Sequence, residues 1–163
     1  MTTTAATRRQ LVTFETATEL FAVDIAMVER VLRYAVPRQL PNTASWLRGV
    51  IAPGDRLVPV LDLRERLALG GVTDADRARI LLVGFEDGPV GIVVDAVHEV
   101  LTVESGAIET PPSVYRGLAR EFVQGIVRRD ERLFVLLDLG RLVTSTERIA
   151  MRKAVAAEGA DGG

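Results

Sequence analysis

The sequence contains no cysteine and only one histidine, His98, among its 163 residues. Disulfides, thiolate metal sites and cysteine nucleophiles are therefore excluded, and a histidine-rich metal site cannot be built. The nearby Val97 and Val100 favour a strand position for His98 over a role in a nucleophile triad. The glycines between residues 70 and 91 form neither of the common phosphate-loop motifs. We therefore expect no catalytic residue, no metal site and no cofactor.

The sequence also lacks an excess of charge of one sign and any long apolar run. Lys and Arg number 20 and Asp and Glu number 22, so the net charge of -2 does not favour nucleic acid or an anionic membrane as partner. No apolar run approaches the roughly 20 residues that a membrane-spanning helix needs, and the N-terminus lacks the apolar core of a secretory signal. We expect a soluble cytoplasmic protein without direct membrane insertion.

What the sequence does contain is a series of short segments rich in Val, Ile, Leu and Phe, separated by Gly, Pro or charged residues. This spacing predicts many strands and few helices. Short helical turns are expected over 43–47, after Asn42, and over 63–67. A final helix is expected over 144–158, because Thr144-Ser-Thr-Glu147 has capping-box spacing. The small, polar ends, residues 1–8 and 159–163, are expected to be disordered.

The chain repeats itself. Residues 49–63 align with residues 125–139 without a gap at an offset of 76, and residues 28–32 match residues 97–101 at an offset of 69. Each copy holds about five short strands, which suits a small closed barrel better than a two-layer sandwich. A barrel of this size is filled by side chains and leaves no interior ligand cavity. The phasing of the repeat places Val60 and Leu136 in or beside the two barrel cores.

The repeat also duplicates an aspartate, at Asp62 and Asp138. Paired carboxylates can share a proton in acid-base catalysis, which keeps a hydrolase open as an alternative function. Each aspartate instead follows an apolar strand directly, which favours a carboxylate that accepts backbone N–H bonds at a strand end. Trp46, the only tryptophan, has two open interpretations, an exposed interaction anchor or a core residue.

Several segments together resemble the CheW-like domain family. They include Phe21-Ala-Val-Asp24, Gly49-Val-Ile51, Val58-Pro-Val-Leu-Asp-Leu-Arg64, Gly91-Ile-Val-Val-Asp95 and Ile108-Glu-Thr-Pro-Pro112. The resemblance implies a mainly β fold with two SH3-like five-stranded β-barrels packed together, short helical turns and a C-terminal helix. We place this domain at residues 9–143, with barrels over about 20–79 and 80–143, the second together with the N-terminal strand.

The resemblance also implies a function. Members of this family are adaptors of bacterial chemosensory signal transduction, joining the cytoplasmic tip of a chemoreceptor to the regulatory domain of a CheA-type histidine kinase. A stand-alone adaptor is expected here, and an adaptor of a related pathway with an output other than chemotaxis remains an alternative. A barrel module that binds peptide or RNA is a further alternative, but an aromatic content of 5% offers little surface for stacking bases.

The resemblance assigns residues to two binding faces. The receptor-binding residues are Val28, Arg30, Gly49, Gly54 and Asp55. The kinase-binding residues are Ile80, Gly91, Glu109 and Val114.

The receptor face departs from the family pattern at two positions. Arg30 replaces the usual glutamate, and Gly54 replaces the usual arginine, with the acid Asp55 beside it. This combination predicts an acid-base pair of reversed polarity between Arg30 and Asp55, with two unrelated solvated charges as the alternative.

Overall fold

A computed structural model describes residues 7–111 and 120–161 and shows a mainly β protein. Its strands are Arg8–Thr16 (β1), Glu19–Asp24 (β2), Val28–Arg33 (β3), Leu47–Ile51 (β4), Val58–Asp62 (β5), Arg79–Phe85 (β6), Gly88–Val94 (β7), Ala96–Glu104 (β8), Val123–Arg129 (β9) and Arg132–Leu137 (β10). The α-helices are Leu63–Arg66 (α1), Leu139–Leu142 (α2) and Ser145–Asp161 (α3), and short 3-10 turns lie at Ile25–Met27, Ser105–Ala107 and Arg120–Phe122.

The strands form two five-stranded sheets. One has the order β8-β1-β2-β10-β9 and the other the order β3-β6-β7-β5-β4. We call them the split barrel and the central barrel, because the strands of the first come from both ends of the chain and those of the second from its middle. The predicted fold class, a mainly β protein with two five-stranded units, is confirmed.

The division of the chain between the barrels differs from the predicted boundary near residues 79 and 80. Strands β6 and β7 belong to the central barrel, because β7 pairs in parallel with β5 through Val60 and Gly91. Strand β2 likewise pairs in parallel with β10 through Ala22 and Leu136. The central barrel therefore occupies about residues 28–94: β6 and β7 belong to it and not to the second predicted barrel, and β2 belongs to the split barrel and not to the first.

The two barrels are built on one plan, as the repeat predicts. The ungapped repeat spans β4 and β5 in one sheet and β9 and β10 in the other, and its second strand, β5 or β10, takes part in the parallel pair of its sheet. Asp62 N–H donates to the Trp46 carbonyl at 2.7 Å, and Asp138 N–H donates to the Phe122 carbonyl at 2.9 Å. These equivalent bonds fix the end of each strand in the same way.

Three apolar clusters form the core. Val60 lies in the cluster inside the central barrel, and Leu136 lies in the cluster inside the split barrel; both are fully buried. The third and largest cluster, the inter-barrel wall, takes side chains from both sheets and from α3, among them Phe14 and Phe21, whose rings stack with centroids 5.7 Å apart. The predicted apolar wall between the barrels is therefore present, and the predicted core positions are confirmed.

The helices agree in part with the sequence. Thr144 Oγ1 accepts from the Glu147 N–H at 3.2 Å, and Glu147 Oε1 accepts from the Thr144 N–H at 3.0 Å, so the predicted capping box starts α3. The turn after Asp62 is α1. Over 43–47 the structure has a turn without a helix: Leu47 N–H donates to the Ala44 carbonyl at 3.0 Å directly before β4, and Asn42, with φ of 56°, starts no helix.

The two ends contain more regular structure than expected. Strand β1 begins at Arg8, because its N-terminal part pairs with β8 as far as Glu104. Helix α3 continues to Asp161, beyond the expected end at residue 158. The rest of the two expected disordered ends, residues 1–6 and 162–163, lies outside the described residues.

Candidate protein-protein interface

Asp62 and Asp138 each cap a short helix. Asp62 Oδ1 accepts from the Arg64 N–H at 2.9 Å at the start of α1, and its second oxygen lies 2.9 Å from Arg48 Nε. Asp138 Oδ1 accepts from the Arg141 N–H at 3.3 Å at the start of α2. Both carboxylates are thus used in helix caps, as the position after a strand suggested. Within residues 7–111 and 120–161, no group of three or more His, Cys, Asp or Glu side chains is arranged to hold a metal ion.

The single histidine lies on the surface of the split barrel. His98 Nε2 is 3.3 Å from Glu15 Oε1 on the neighbouring strand β1. The expected strand position of His98 is confirmed, and this cross-strand contact places it on an outward-facing position of β8.

Four of the five predicted receptor-binding residues lie at or near the surface of the central barrel. Arg30 is exposed on β3, Gly54 and Asp55 are exposed in the turn between β4 and β5, and Val28 is partly buried at the start of β3. Strand β3 is an edge of its sheet, since it pairs only with β6. An edge strand beside an exposed turn offers unpaired backbone groups and side chains to a partner.

Gly49 does not present itself to a partner. It is buried in β4 with φ of 147°, and a Cβ atom added there would lie 2.1 Å from the Arg38 carbonyl oxygen. The equivalent Gly125 is similarly enclosed, with Ile108 Cγ2 at 2.5 Å from such a Cβ. Gly49 therefore allows the close approach of the 38–39 backbone to β4, which is a structural role.

The predicted Arg30–Asp55 pair is wrong in its residues. Among the described residues the ion pair between these elements joins their sequence neighbours, with Arg56 Nη2 3.9 Å from Glu29 Oε2. The cause is a β-bulge: the register between β3 and β6 shifts between Val28 and Arg30, so Glu29 is the extra residue. A bulge re-aims a side chain in a way that strict strand alternation does not predict.

Ile80 and Gly91, predicted to bind the kinase, are buried inside the central barrel. Ile80 has no exposed area, and a Cβ atom at Gly91 would lie 2.9 Å from Ile80 Cγ2 and 3.2 Å from Val60 Cγ2. Neither residue presents a side chain to a partner. Their resemblance to the family therefore reflects packing of the barrel interior.

Glu109 is exposed on the split barrel, where it forms a β-bridge with Ile126 and an ion pair of 2.9 Å with Arg128 Nε. Val114 lies outside the described residues. The predicted kinase-binding set therefore contributes one described surface position.

Sequence reasoning missed two exposed apolar side chains of the central barrel. Val31 on β3 is 44% exposed, and Leu57 beside Arg56 is 40% exposed. The signal for Val31 was that it directly follows Glu29 and Arg30 in β3. Both charged side chains need contact with solvent, which indicates that this part of the strand is exposed. Apolar area beside charged groups is typical of protein interfaces.

Trp46 is partly buried against the inter-barrel wall. The guanidinium of Arg66 lies over its ring, 4.7 Å from the centroid, and over the Phe122 ring at 5.0 Å. Of the two interpretations of Trp46, packing is the one that these contacts support.

No helix in the described ranges is long and apolar enough to cross a membrane.

Comparison with known proteins identifies the family. A family model described as CheW-like domain matches residues 10–147. Chemotaxis protein CheW of Klebsiella aerogenes is 30% identical over 139 residues, covering 85% of this chain and 84% of the relative. Chemotaxis protein CheW of Treponema pallidum is 28% identical over 142 residues, covering 85% and 84%. The crystal structure of the scaffolding protein TtCheW from Thermoanaerobacter tengcongensis superposes with a TM-score of 0.79 at 28% identity, covering 90% of this chain and 95% of that one. The chain therefore belongs to the CheW-like domain family.

Proposed function

We propose that this chain is a non-catalytic adaptor that couples the cytoplasmic tip of a chemoreceptor to the regulatory domain of a CheA-type histidine kinase. The observation that carries the proposal is the family match over residues 10–147, together with the similarity to a structure titled as a scaffolding protein. The relatives named chemotaxis protein CheW support the same signalling role. An adaptor of this kind acts in the cytoplasm, where both partners are found.

The architecture suits an adaptor because only the outer surfaces of the two barrels are free to bind partners. Both barrel interiors are filled by apolar side chains, and the face of each sheet turned toward the other is used in the inter-barrel wall. The β3 edge and the β4–β5 turn lie on the central barrel, whereas Glu109 lies on the split barrel. An adaptor needs two separate surfaces, and this arrangement offers one on each barrel.

The receptor face is tested by reversing one charge. In a binding titration with a receptor-tip fragment, we expect Arg30→Glu to weaken binding by about tenfold, roughly the effect of one lost charge contact. Arg77→Glu is the matched control, because Arg77 is also an exposed arginine but lies in the β5–β6 connection. If both variants changed the affinity for the receptor fragment equally, the receptor would bind at a surface that does not include Arg30.

The kinase face is tested with Glu109 and Val114. Titration with the kinase regulatory domain should show saturable binding that Val114→Glu weakens by at least about tenfold, since a charge at an apolar contact must be desolvated. Glu109→Arg should weaken the same binding and leave receptor binding unchanged. Val72→Glu, at a residue 88% exposed, is the control for adding a carboxylate. Absence of any kinase binding by the unchanged chain would contradict the adaptor function.

A further inference from the structure

Three arginines gather where α3 passes the turn between β6 and β7. Arg148 and Arg152 are one helical turn apart on α3. Arg148 Nε lies 3.1 Å from Asp87 Oδ1, and Gly88 lies so close to Arg152 that a Cβ atom there would be 3.1 Å from Arg152 Nη2. Arg56 lies 3.9 Å from Glu29, whose Oε1 would be 2.9 Å from a Cβ atom at Gly84 of β6, and the charges of Arg56 and Arg148 both lower the pKa of Arg152. We call Arg56, Arg148 and Arg152 the arginine cluster.

The carboxylates around the cluster are already engaged. Arg148 Nε contacts both oxygens of Asp87, at 3.1 and 3.3 Å, and its guanidinium also lies 4.3 Å from the centre of the Phe85 ring. Glu29 faces Arg56 at 3.9 Å. Among the described contacts the cluster thus has three guanidinium groups and two carboxylates, and neither carboxylate makes a hydrogen bond or close ion pair with Arg152.

Arg152 is the unsatisfied member. Its Nε and Nη2 atoms are buried and make no hydrogen bond to any residue in the part of the chain that the structure describes. Burial lowers the pKa of Arg152; the charge of Asp87 raises it, and those of Arg148 and Arg56 lower it further. Two buried N–H groups without a hydrogen-bond acceptor are costly beside two like charges, and a further anion near the guanidinium would reduce the electrostatic part of that cost.

The cluster reaches solvent through Arg56, whereas the Arg148 side chain is only 11% exposed, and it is continuous with the predicted receptor face. Arg56 is 68% exposed at the side chain, and Arg152 is only partly buried as a residue. Arg56 directly follows Asp55 in the β4–β5 turn, and its partner Glu29 precedes Arg30 on β3. A carboxylate matches the planar fork of a guanidinium and forms charge-assisted hydrogen bonds with it.

We propose that the arginine cluster binds an acidic side chain of the chemoreceptor tip. This inference rests on the proposed function and extends the receptor face from β3 and the β4–β5 turn to α3. The incoming carboxylate supplies the third negative charge that the cluster lacks, so that it contributes to the choice of receptor as well as to affinity.

The first test compares Arg152→Gln with the unchanged chain in titrations against a receptor-tip fragment at low and high salt. We expect the variant to bind about tenfold more weakly at low salt, and its binding to depend less on salt, because one screened charge contact is lost. Binding of the kinase regulatory domain should not change. Arg77→Gln is the matched control and should leave both partners unaffected.

A second pair of variants separates recognition from folding. Asp87→Asn removes the carboxylate that competes for the cluster, so receptor binding should tighten severalfold although an internal ion pair is lost. Arg152→Glu supplies a carboxylate to Arg56 and Arg148 from within the chain, so receptor binding should fall while the melting temperature is maintained. A purely structural cluster would give no tightening with Asp87→Asn.

Two failures are distinguishable. If the unchanged chain binds the receptor fragment and Arg152→Gln binds it equally well at low salt, the arginine cluster is not a receptor contact, and the proposed function stands. If the unchanged chain binds the kinase domain but no receptor fragment, both the receptor half of the proposed function and this inference are overturned.

Discussion

Equivalent residues of the repeat are not equally important, as the two aspartates illustrate. The Asp62 side chain is 4% exposed and contacts both a backbone N–H and Arg48, whereas the Asp138 side chain is 35% exposed with longer contacts. We expect Asp62→Ala to lower the free energy of unfolding by about 2 kcal/mol and Asp138→Ala by about 0.5 to 1 kcal/mol, measured by chemical denaturation. Equal losses would show that burial does not strengthen the cap. A turnover activity abolished by either change would instead support the hydrolase alternative.

At the residue scale, the sequence predicts the role of a single side chain better than it predicts which residues that side chain contacts. The repeat and the position after a strand were enough to assign Asp62 and Asp138 as caps, because both arguments are local. The charge pair at the central barrel was displaced by one residue on each side, since the bulge at Glu29 depends on how β3 meets β6. Ile80 and Gly91 were placed on a surface because resemblance carries no information about which face of a strand is enclosed.

At the element scale, the sequence predicted the strands and which strands of the two barrels are equivalent, but it did not predict which strands pair with each other. The ungapped alignment of residues 49–63 with 125–139 identifies β5 and β10 as counterparts without any structure. The hairpin of β6 and β7 could pair with either sheet on sequence grounds, because both sheets offer apolar strands of similar length. Long-range pairing decides this, and it depends on contacts between segments far apart in sequence.

The elements at the junction of the barrels meet at Arg66, which gives a prediction for that junction. Arg66 Nε donates to the Leu142 carbonyl at 2.8 Å, and Nη2 donates to Glu147 Oε1 at 2.8 Å, while its guanidinium lies between the rings of Trp46 and Phe122. Arg66→Met should lower the free energy of unfolding by about 2 to 3 kcal/mol, because two hydrogen bonds and two ring contacts are lost.

A fluorescence measurement and a conservative variant complete this test. Trp46 is the only tryptophan, so its fluorescence should change in the folded Arg66→Met variant. Arg66→Lys keeps the charge but not the fork, and should retain part of the stability. An unchanged emission spectrum together with unchanged stability would show that Arg66 does not hold α1, α2 and α3 together.

At the scale of the whole molecule, the two barrels are interdependent. The chain enters the split barrel with β1 and β2, completes the central barrel with β3 to β7, and returns to the split barrel with β8 to β10. Neither end of the chain can therefore complete the split barrel alone. The inter-barrel wall adds a shared core to this connectivity, which favours one cooperative unfolding transition.

Cooperativity can be tested with equivalent truncations in the two barrels. Val60 and Leu136 are fully buried in separate interiors, and truncation of a buried aliphatic side chain to alanine costs about 2 to 5 kcal/mol. We expect Val60→Ala and Leu136→Ala each to lower the melting temperature of the whole molecule, with one transition whether it is followed by Trp46 fluorescence or by the circular dichroism of the sheets.

The control is Val72→Ala, at a residue 88% exposed, which should leave the melting temperature nearly unchanged. The opposing model is that the barrels are independent. Then Leu136→Ala would melt the split barrel first, and circular dichroism would show two transitions. Because the chain passes from β1 and β2 to their sheet partners β8–β10 only through the central barrel, and both barrels contribute to the inter-barrel wall, loss of either interior should unfold both barrels together.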